Sequence, residues 1–152
     1  MHILYRPASP DDFASTLEIK KQALGPCIEQ VWGWDDKFQH DYHLTHFNPA
    51  NTALLSFLDN EVGLVETVET ADFLLIQNLL IKPVFQNQGV GSHVLKQLIA
   101  KAAQRGKAVG LSVLKVNKDA FRLYQKLGFT VTDSAEHTIQ MVIPIKHHEH
   151  QP

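Results

Sequence analysis

The residues best suited to chemistry lie in a short loop, Gln86-Asn87-Gln88-Gly89-Val90-Gly91-Ser92. An apolar run, Phe73 to Ile81, precedes it and is cut off by Pro83. An amphipathic pattern follows, with Val94, Leu95, Leu98, Ile99, Ala102 and Ala103 on one helical face. The order strand, glycine loop, helix aims unpaired backbone N–H groups and the positive end of a helix dipole at one point, which suits a phosphate. Glycines let the backbone come close to such a group because no Cβ intervenes. Spacing then excludes two common loops. A Walker-type loop needs a lysine directly after its second glycine, and Ser92 stands there. A dinucleotide fingerprint needs a third glycine where Val94 stands.

A second segment, Val109 to Phe129, opens with β-rich residues and turns helical at Asn117, a good N-cap. Ala120, Leu123, Tyr124 and Leu127 share a face of that helix, and Gly128 stands where a left-handed C-terminal residue is expected.

Two spaced motifs, Gln-x-x-Gly-x-Gly at Gln86, Gly89 and Gly91, then Asn-x-x-Ala-x-x-Leu-Tyr-x-Lys-Leu-Gly-Phe from Asn117 to Phe129, give the chain its likeness. It resembles the GNAT superfamily of N-acetyltransferases over most of its length, least between residues 25 and 50. The resemblance implies an α/β (α+β) fold with a mixed, mostly antiparallel central sheet and helices on both faces. It also implies acetyl-coenzyme A as cofactor. The strand before the loop would pair its main chain, Leu79, Leu80 and Ile81, with the pantetheine arm. Gln86, Asn87, Gln88, Gly89, Val90, Gly91 and Ser92 would take the phosphates, several amides acting together. Asn117 and Phe121 would lie by the cofactor, and Tyr124 matches the tyrosine that protonates the departing thiolate. The same positions serve a plain fold, with Asn117 a cap and Phe121 and Tyr124 core.

The rest of the chain reads as the elements needed to hold these groups. A strand at His2–Arg6 leads to a helix start at Ser9-Pro10-Asp11-Asp12, with Phe13, Leu17 and Leu24 inward and Gly25-Pro26 as its end. Asp35 caps a second helix, with Phe38 and Tyr42 one turn apart. Thr52–Leu58 and Val62–Thr70 form a hairpin about Asp59-Asn60. Later strands are expected at Asp72–Ile81, Ala108–Val116 and Phe129–Thr132, with Ile139, Met141 and Ile143 alternating in the last. The expected order is β-α-α-β-β-β-α-β-α-β-β. It makes one domain over residues 1–146, with 147–152 a disordered tail.

A primary amine is mostly protonated at neutral pH, so transfer to it needs a base or a water relay. The strand Asp72–Ile81 has no glutamate inside it. Gln77 and Asn78 could orient a water, and Glu66 or Glu69 on the neighbouring strand could take the proton. In this fold the segment joining the first two helices walls the acceptor pocket; here it holds Glu29, Trp32 and Trp34, suited to an amine cation. Packing of the tryptophans on the core is the plainer reading.

The expected function is direct transfer of an acetyl group to a primary amine, on a small molecule, peptide or protein. The alternative is a non-catalytic acyl-coenzyme A sensor. A net charge of −2 argues against nucleic acid as partner. No apolar run approaches the roughly 18 residues that span a bilayer, and the opening residues hold no signal-peptide core, so a cytoplasmic protein is expected. A homodimer stays open. Cys27 is alone. His40, His43 and His46 recur at a spacing that rotates around a helix, and His147, His148 and His150 fall in the expected tail. No metal site is expected.

Overall fold

The computed structural model describes residues 1–145, so the expected tail with its three histidines lies outside the described residues. The elements follow in the expected order. They are β1 (Leu4–Pro7), α1 (Phe13–Val31), α2 (Asp36–His46), β2 (Thr52–Phe57), β3 (Asn60–Glu69), β4 (Phe73–Ile81), α3 (Val90–Gln104), β5 (Ala108–Leu114), α4 (Lys118–Lys126), β6 (Thr130–Ser134) and β7 (Thr138–Ile143). The hydrogen-bonded strand order is β1-β2-β3-β4-β5-β7-β6. β4 and β5 are parallel, while β1–β2, β2–β3, β5–β7 and β6–β7 are antiparallel. This is the mixed, mostly antiparallel sheet expected. Among the described residues no helix is long and apolar enough to cross a membrane.

Two compact units divide the chain. Met1–Thr67 with Gln77–Val94 form the first, and Val68–Ile76 with the described residues from Leu95 onward form the second. In the first, Ile19 of α1 packs with Leu54, Leu64 and Leu80 of three successive strands, and Ala8, Ala23 and Leu24 close over that cluster. In the second, Leu74, Leu95, Val109, Phe129 and Met141 are all buried. Met141 does so from the alternating pattern of β7, as its period-two spacing requires.

A short 3-10 turn, Pro10–Asp12, leads into α1. The Asp12 carboxylate accepts a hydrogen bond from the Ser9 N–H at 2.9 Å, which is half of a capping box. It also takes both guanidinium nitrogens of Arg6, at 2.9 and 3.0 Å. The Arg6 hydrogen bonds, then the Ser9 amide, lower the Asp12 pKa to about 2. An unfolded aspartate titrates near ~3.9. The unfolded chain therefore binds this proton first as pH falls, so the stability from Asp12 is complete above pH ~4 and gone below about 2. Urea midpoints measured from pH 5 to 2 should fall less steeply in Arg6→Gln than in the wild type.

Gly25-Pro26 does not end α1, which runs through both to Val31. Pro26 cannot donate to the Gln22 carbonyl one turn back, a loss that normally breaks a helix. Packing on either side overrides it. Ile28 is buried beyond the proline, and Gly25 is buried where a Cβ would sit 3.6 Å from the Trp34 indole. The β2–β3 turn also differs by one residue from expectation. Its two central residues are Leu58 and Asp59, at φ 51° and 63°, and Asn60 already pairs with Phe57. Positive φ at both positions makes the tight reversed turn that suits strand twist. The Asn60 amide stabilises it by donating to the Leu58 carbonyl at 3.1 Å.

Candidate active site

The loop after β4 is built by its own side chains. Gln86 donates through Nε2 to the Ile81 carbonyl at 2.9 Å, tying the loop back to the end of the strand. Its amide N–H donates to the Pro83 carbonyl at 3.2 Å. Gln86 thus shapes the loop, and its amide is already engaged. Gln88 Nε2 donates to the Val84 carbonyl. Asn87 and Gly89 then take left-handed φ values of 62° and 83°, turning the chain into α3. The first helical hydrogen bond of α3 runs from His93 N–H to the Gly89 carbonyl. The amides of Val90, Gly91 and Ser92 come before it and have no helical acceptor, the condition under which a helix start holds an anion. Val90 is buried and fixes that first turn, while Gln86 to Gly89 are exposed.

The main chain of β4 is held from the β3 side. A Cβ on Gly63 would lie 2.0 Å from the Leu80 carbonyl oxygen, and Lys82 N–H donates to the Val62 carbonyl at 2.8 Å. The parallel ladder with β5 covers only Phe73 to Ile76 of β4. Leu79, Leu80 and Ile81 lie past its end, in the first unit. Leu80 is buried, while Leu79 and Ile81 are partly covered.

In the second unit, Asn117 caps α4, its Oδ1 accepting from the Ala120 N–H at 3.3 Å. The far end explains the spacing of Tyr124, Gly128 and Phe129. Phe129 N–H donates to the Tyr124 carbonyl at 3.0 Å, and Gly128 N–H to Gln125 at 3.1 Å. Gly128 sits at φ 107°. This pair of bonds, with a left-handed glycine between, is the Schellman ending, and its hydrophobic contact is between Tyr124 and Phe129. The two rings meet edge to face at 5.7 Å. Buried Phe129 therefore fixes both the carbonyl and the ring of Tyr124. Burial pushes the Tyr124 phenol above its ordinary pKa of 10.0, so it keeps its proton at neutral pH. Among the described residues the phenol has no hydrogen-bond partner. Phe121 is partly buried on the same helix.

The acceptor-side residues separate. Trp34 is committed to structure: it covers Gly25, donates from Nε1 to Asp36 at 2.8 Å and from its N–H to Glu29. Asp36 also takes Lys21 at 3.0 Å. Glu29 and Trp34 together clamp the α1–α2 connection, and Asp35 caps α2 by accepting from Phe38 N–H at 2.9 Å. Trp32 is exposed, and its N–H closes α1 by donating to the Ile28 carbonyl at 2.8 Å. Gln77 is exposed and Asn78 partly buried on β4.

The two glutamates differ sharply. Burial pushes Glu69 up, but Arg105, Lys107 and Lys101 together hold it below its ordinary value. All three cations lie within ion-pairing distance of it. Such a carboxylate is a poor base. Glu66 is half-buried and pushed up by burial, with Lys20, the Thr52 hydroxyl and His46 acting against that. The grouping was not legible in the sequence, because Lys20, His46, Thr52 and Glu66 come from four elements. Only the Thr52↔Glu66 register, readable once the hairpin turn is placed, pointed to part of it.

Burial raises the Cys27 thiol, which weakens it as a nucleophile. The α2 histidines go to separate partners: His43 Nε2 meets Thr16 Oγ1 at 2.8 Å, and His46 Nδ1 meets the Tyr42 carbonyl at 2.8 Å. Among the described residues no group of three potential ligands could hold a metal ion.

Residues 57–138 match the family model described as FR47-like protein. The chain is 35% identical over 149 residues to the ribosomal protein bS18-alanine N-acetyltransferase of Escherichia coli (strain K12), an alignment covering 86% of this chain and 96% of that one. The crystal structure of the ribosomal-protein-S18-alanine N-acetyltransferase from Escherichia coli has the same fold, with a TM-score of 0.71, 20% identity and 99% of each chain covered. So does the PaiA N-acetyltransferase of Thermoplasma acidophilum, solved in complex with coenzyme A, at a TM-score of 0.76, 16% identity, and 96% and 100% coverage. Loop, capped helix, sheet order and sequence likeness agree: the chain belongs to the FR47-like family within the GNAT superfamily of acetyl-coenzyme A-dependent N-acetyltransferases.

Proposed function

We propose that this enzyme acetylates the α-amino terminus of a peptide or protein in the cytoplasm. The observation that carries this reading is its 35% identity, across 96% of the relative's length, to an enzyme named for acetylating an alanine of a ribosomal protein. In this reading the unengaged amides at the start of α3, with those of Asn87 to Gly89, receive the cofactor's pyrophosphate. The main chain of Leu79 to Ile81 receives the pantetheine arm. The amine lone pair attacks the thioester carbonyl carbon, a C–N bond forms and the C–S bond breaks. The amine gives up a proton, and Tyr124 gives one to the departing thiolate. Its neutral, unpaired phenol and fixed ring support that role. Nothing in the structure favours a non-catalytic sensor.

The α-amine is also the easier acceptor on chemical grounds. Its ordinary pKa of about 7.7–8.0 lies well below the ~10.4 of a lysine side chain, so far less work is needed to free its lone pair. Thiol release from acetyl-coenzyme A should therefore occur with a hexapeptide starting in free alanine. It should be absent when that terminus is blocked, even if the peptide carries an internal lysine. Turnover on the blocked lysine peptide alone would overturn the reading.

A further inference from the structure

One cluster in the first unit takes no part in the steps above. Lys20 of α1, Tyr42 and His46 of α2, Thr52 of β2 and Glu66 of β3 converge there. The Lys20 ammonium stands 4.5 Å from the centre of the Tyr42 ring, and that ring stacks on His46 at 3.8 Å and 14°. Thr52 is opposite Glu66 in the β2–β3 register, and its hydroxyl donates to the Asn48 carbonyl at 2.8 Å. Lys20 and Glu66 are both partly buried and each feels the other's charge, yet among the described residues they do not form an ion pair. Partly burying two opposite charges and leaving them apart is costly, since each loses water without gaining a full partner. At the surface ion pairs elsewhere in the chain, such as Arg6–Asp12, charges of this kind have closed on one another.

We infer that Lys20 and Glu66 form the subsite for the acceptor's first residue, Glu66 facing the α-ammonium and Lys20 the first peptide carbonyl oxygen, with Tyr42 walling one side. The inference rests on the α-amine reading and deepens it. A peptide terminus carries a cation and a carbonyl oxygen on neighbouring atoms, so it spans two opposite charges held apart. A lysine side chain offers the cation alone. Glu66 takes one proton from the α-ammonium as the nitrogen lone pair is freed, and returns it to water after the product leaves. The groups facing Glu66 are Lys20 from α1, His46 from α2 and the Thr52 hydroxyl from β2. Burial raises Glu66 and lowers Lys20, as expected for a pair that lacks direct contact.

The test uses the free-alanine hexapeptide and its (E)-alkene isostere at the first amide, which keeps the shape and removes the oxygen. Lys20→Met should raise the peptide KM about tenfold, the worth of one hydrogen bond to a charged group. It should leave kcat unchanged on the pH plateau and leave the isostere's KM as in the wild type. The acidic limb should move to higher pH, because Lys20 no longer holds Glu66 down. Glu66→Gln should lower kcat on both acceptors by about 10²-fold or more and remove the acidic limb of the pH profile, while acetyl-coenzyme A affinity stays the same. Glu66→Asp and Lys20→Arg, which keep the charges, should recover part of each loss and control for misfolding. If the wild type turns over the peptide but Lys20→Met affects the KM of peptide and isostere equally, or Glu66→Gln keeps full kcat, the subsite assignment is wrong. If the wild type ignores every free terminus, the α-amine reading itself has failed.

Discussion

Replacing Tyr124 with phenylalanine should lower kcat for acetyl transfer by about 10²–10⁴-fold, the usual worth of a positioned proton donor. The substitution is unusually clean. The carbonyl of residue 124 still accepts from Phe129 N–H, and a phenyl ring still meets Phe129 edge to face. Only the hydroxyl is lost, and it has no hydrogen-bond partner among the described residues, so no buried group is orphaned. The melting temperature and acetyl-coenzyme A affinity should therefore stay close to wild type while turnover collapses. Thiol-release kinetics and calorimetry on the same preparation would separate these effects. Full turnover by Tyr124→Phe at every pH would take the phenol out of the chemistry.

Gly63→Ala should produce the largest loss of stability of any glycine-to-alanine change in the chain. The new Cβ would sit 2.0 Å from the Leu80 carbonyl oxygen and 3.1 Å from the Ile81 Cα, and both are backbone atoms. Neither can rotate away, so β3 must part from β4. Overpacking of this kind costs about 3 kcal/mol or more, or roughly 6–12 °C in melting temperature for a chain of this size. Gly110→Ala is the control. Its Cβ would meet Leu75 Cδ2 at 3.0 Å, the end of a flexible side chain, and should cost much less. Leu79 to Ile81 are also the main chain assigned to the pantetheine arm, so acetyl-coenzyme A affinity should fall with stability in Gly63→Ala. An alanine variant melting with the wild type would show that the two strands separate there at no cost.

The parts of the fold legible in the sequence were those set by local rules. Asn117 at the cap, Gly128 at the helix end, and β4 bounded by Asp72 and Pro83 all follow from residues next to the feature they fix. What escaped was set at a distance. Pro26 reads as a stop, and only the cover that Trp34 gives Gly25 and the burial of Ile28 keep α1 running past it. Phe38 and Tyr42 stand one turn apart on α2, as their spacing requires, but the helix buries Gln39 and His43 and leaves both aromatics exposed. Trp34 reads equally as an acceptor wall and as packing, and its three hydrogen-bonded and packed neighbours favour the second. Glu69 reads as a base until three cations from later in the chain surround it. The cofactor loop was legible because its chemistry is in contiguous backbone. The acceptor side was not, because its groups come from separate elements.

The contact between Thr16 and His43 has one more consequence. Thr16 has a single hydroxyl proton and two carbonyl acceptors, Asp12 at 2.7 Å and Phe13 at 3.1 Å. The hydroxyl is therefore spent as a donor, and His43 must supply the proton in its 2.8 Å contact. That fixes the ring as the Nε2–H tautomer, packed against Phe13 and Phe47 and shielded from water. The chain thus carries a native spectroscopic probe. The sheltered imidazole proton should give its own downfield resonance, slow to exchange with solvent, while α1 and α2 stay docked. Loosening of the helix pair would be seen as the fading of that one line, with no label introduced.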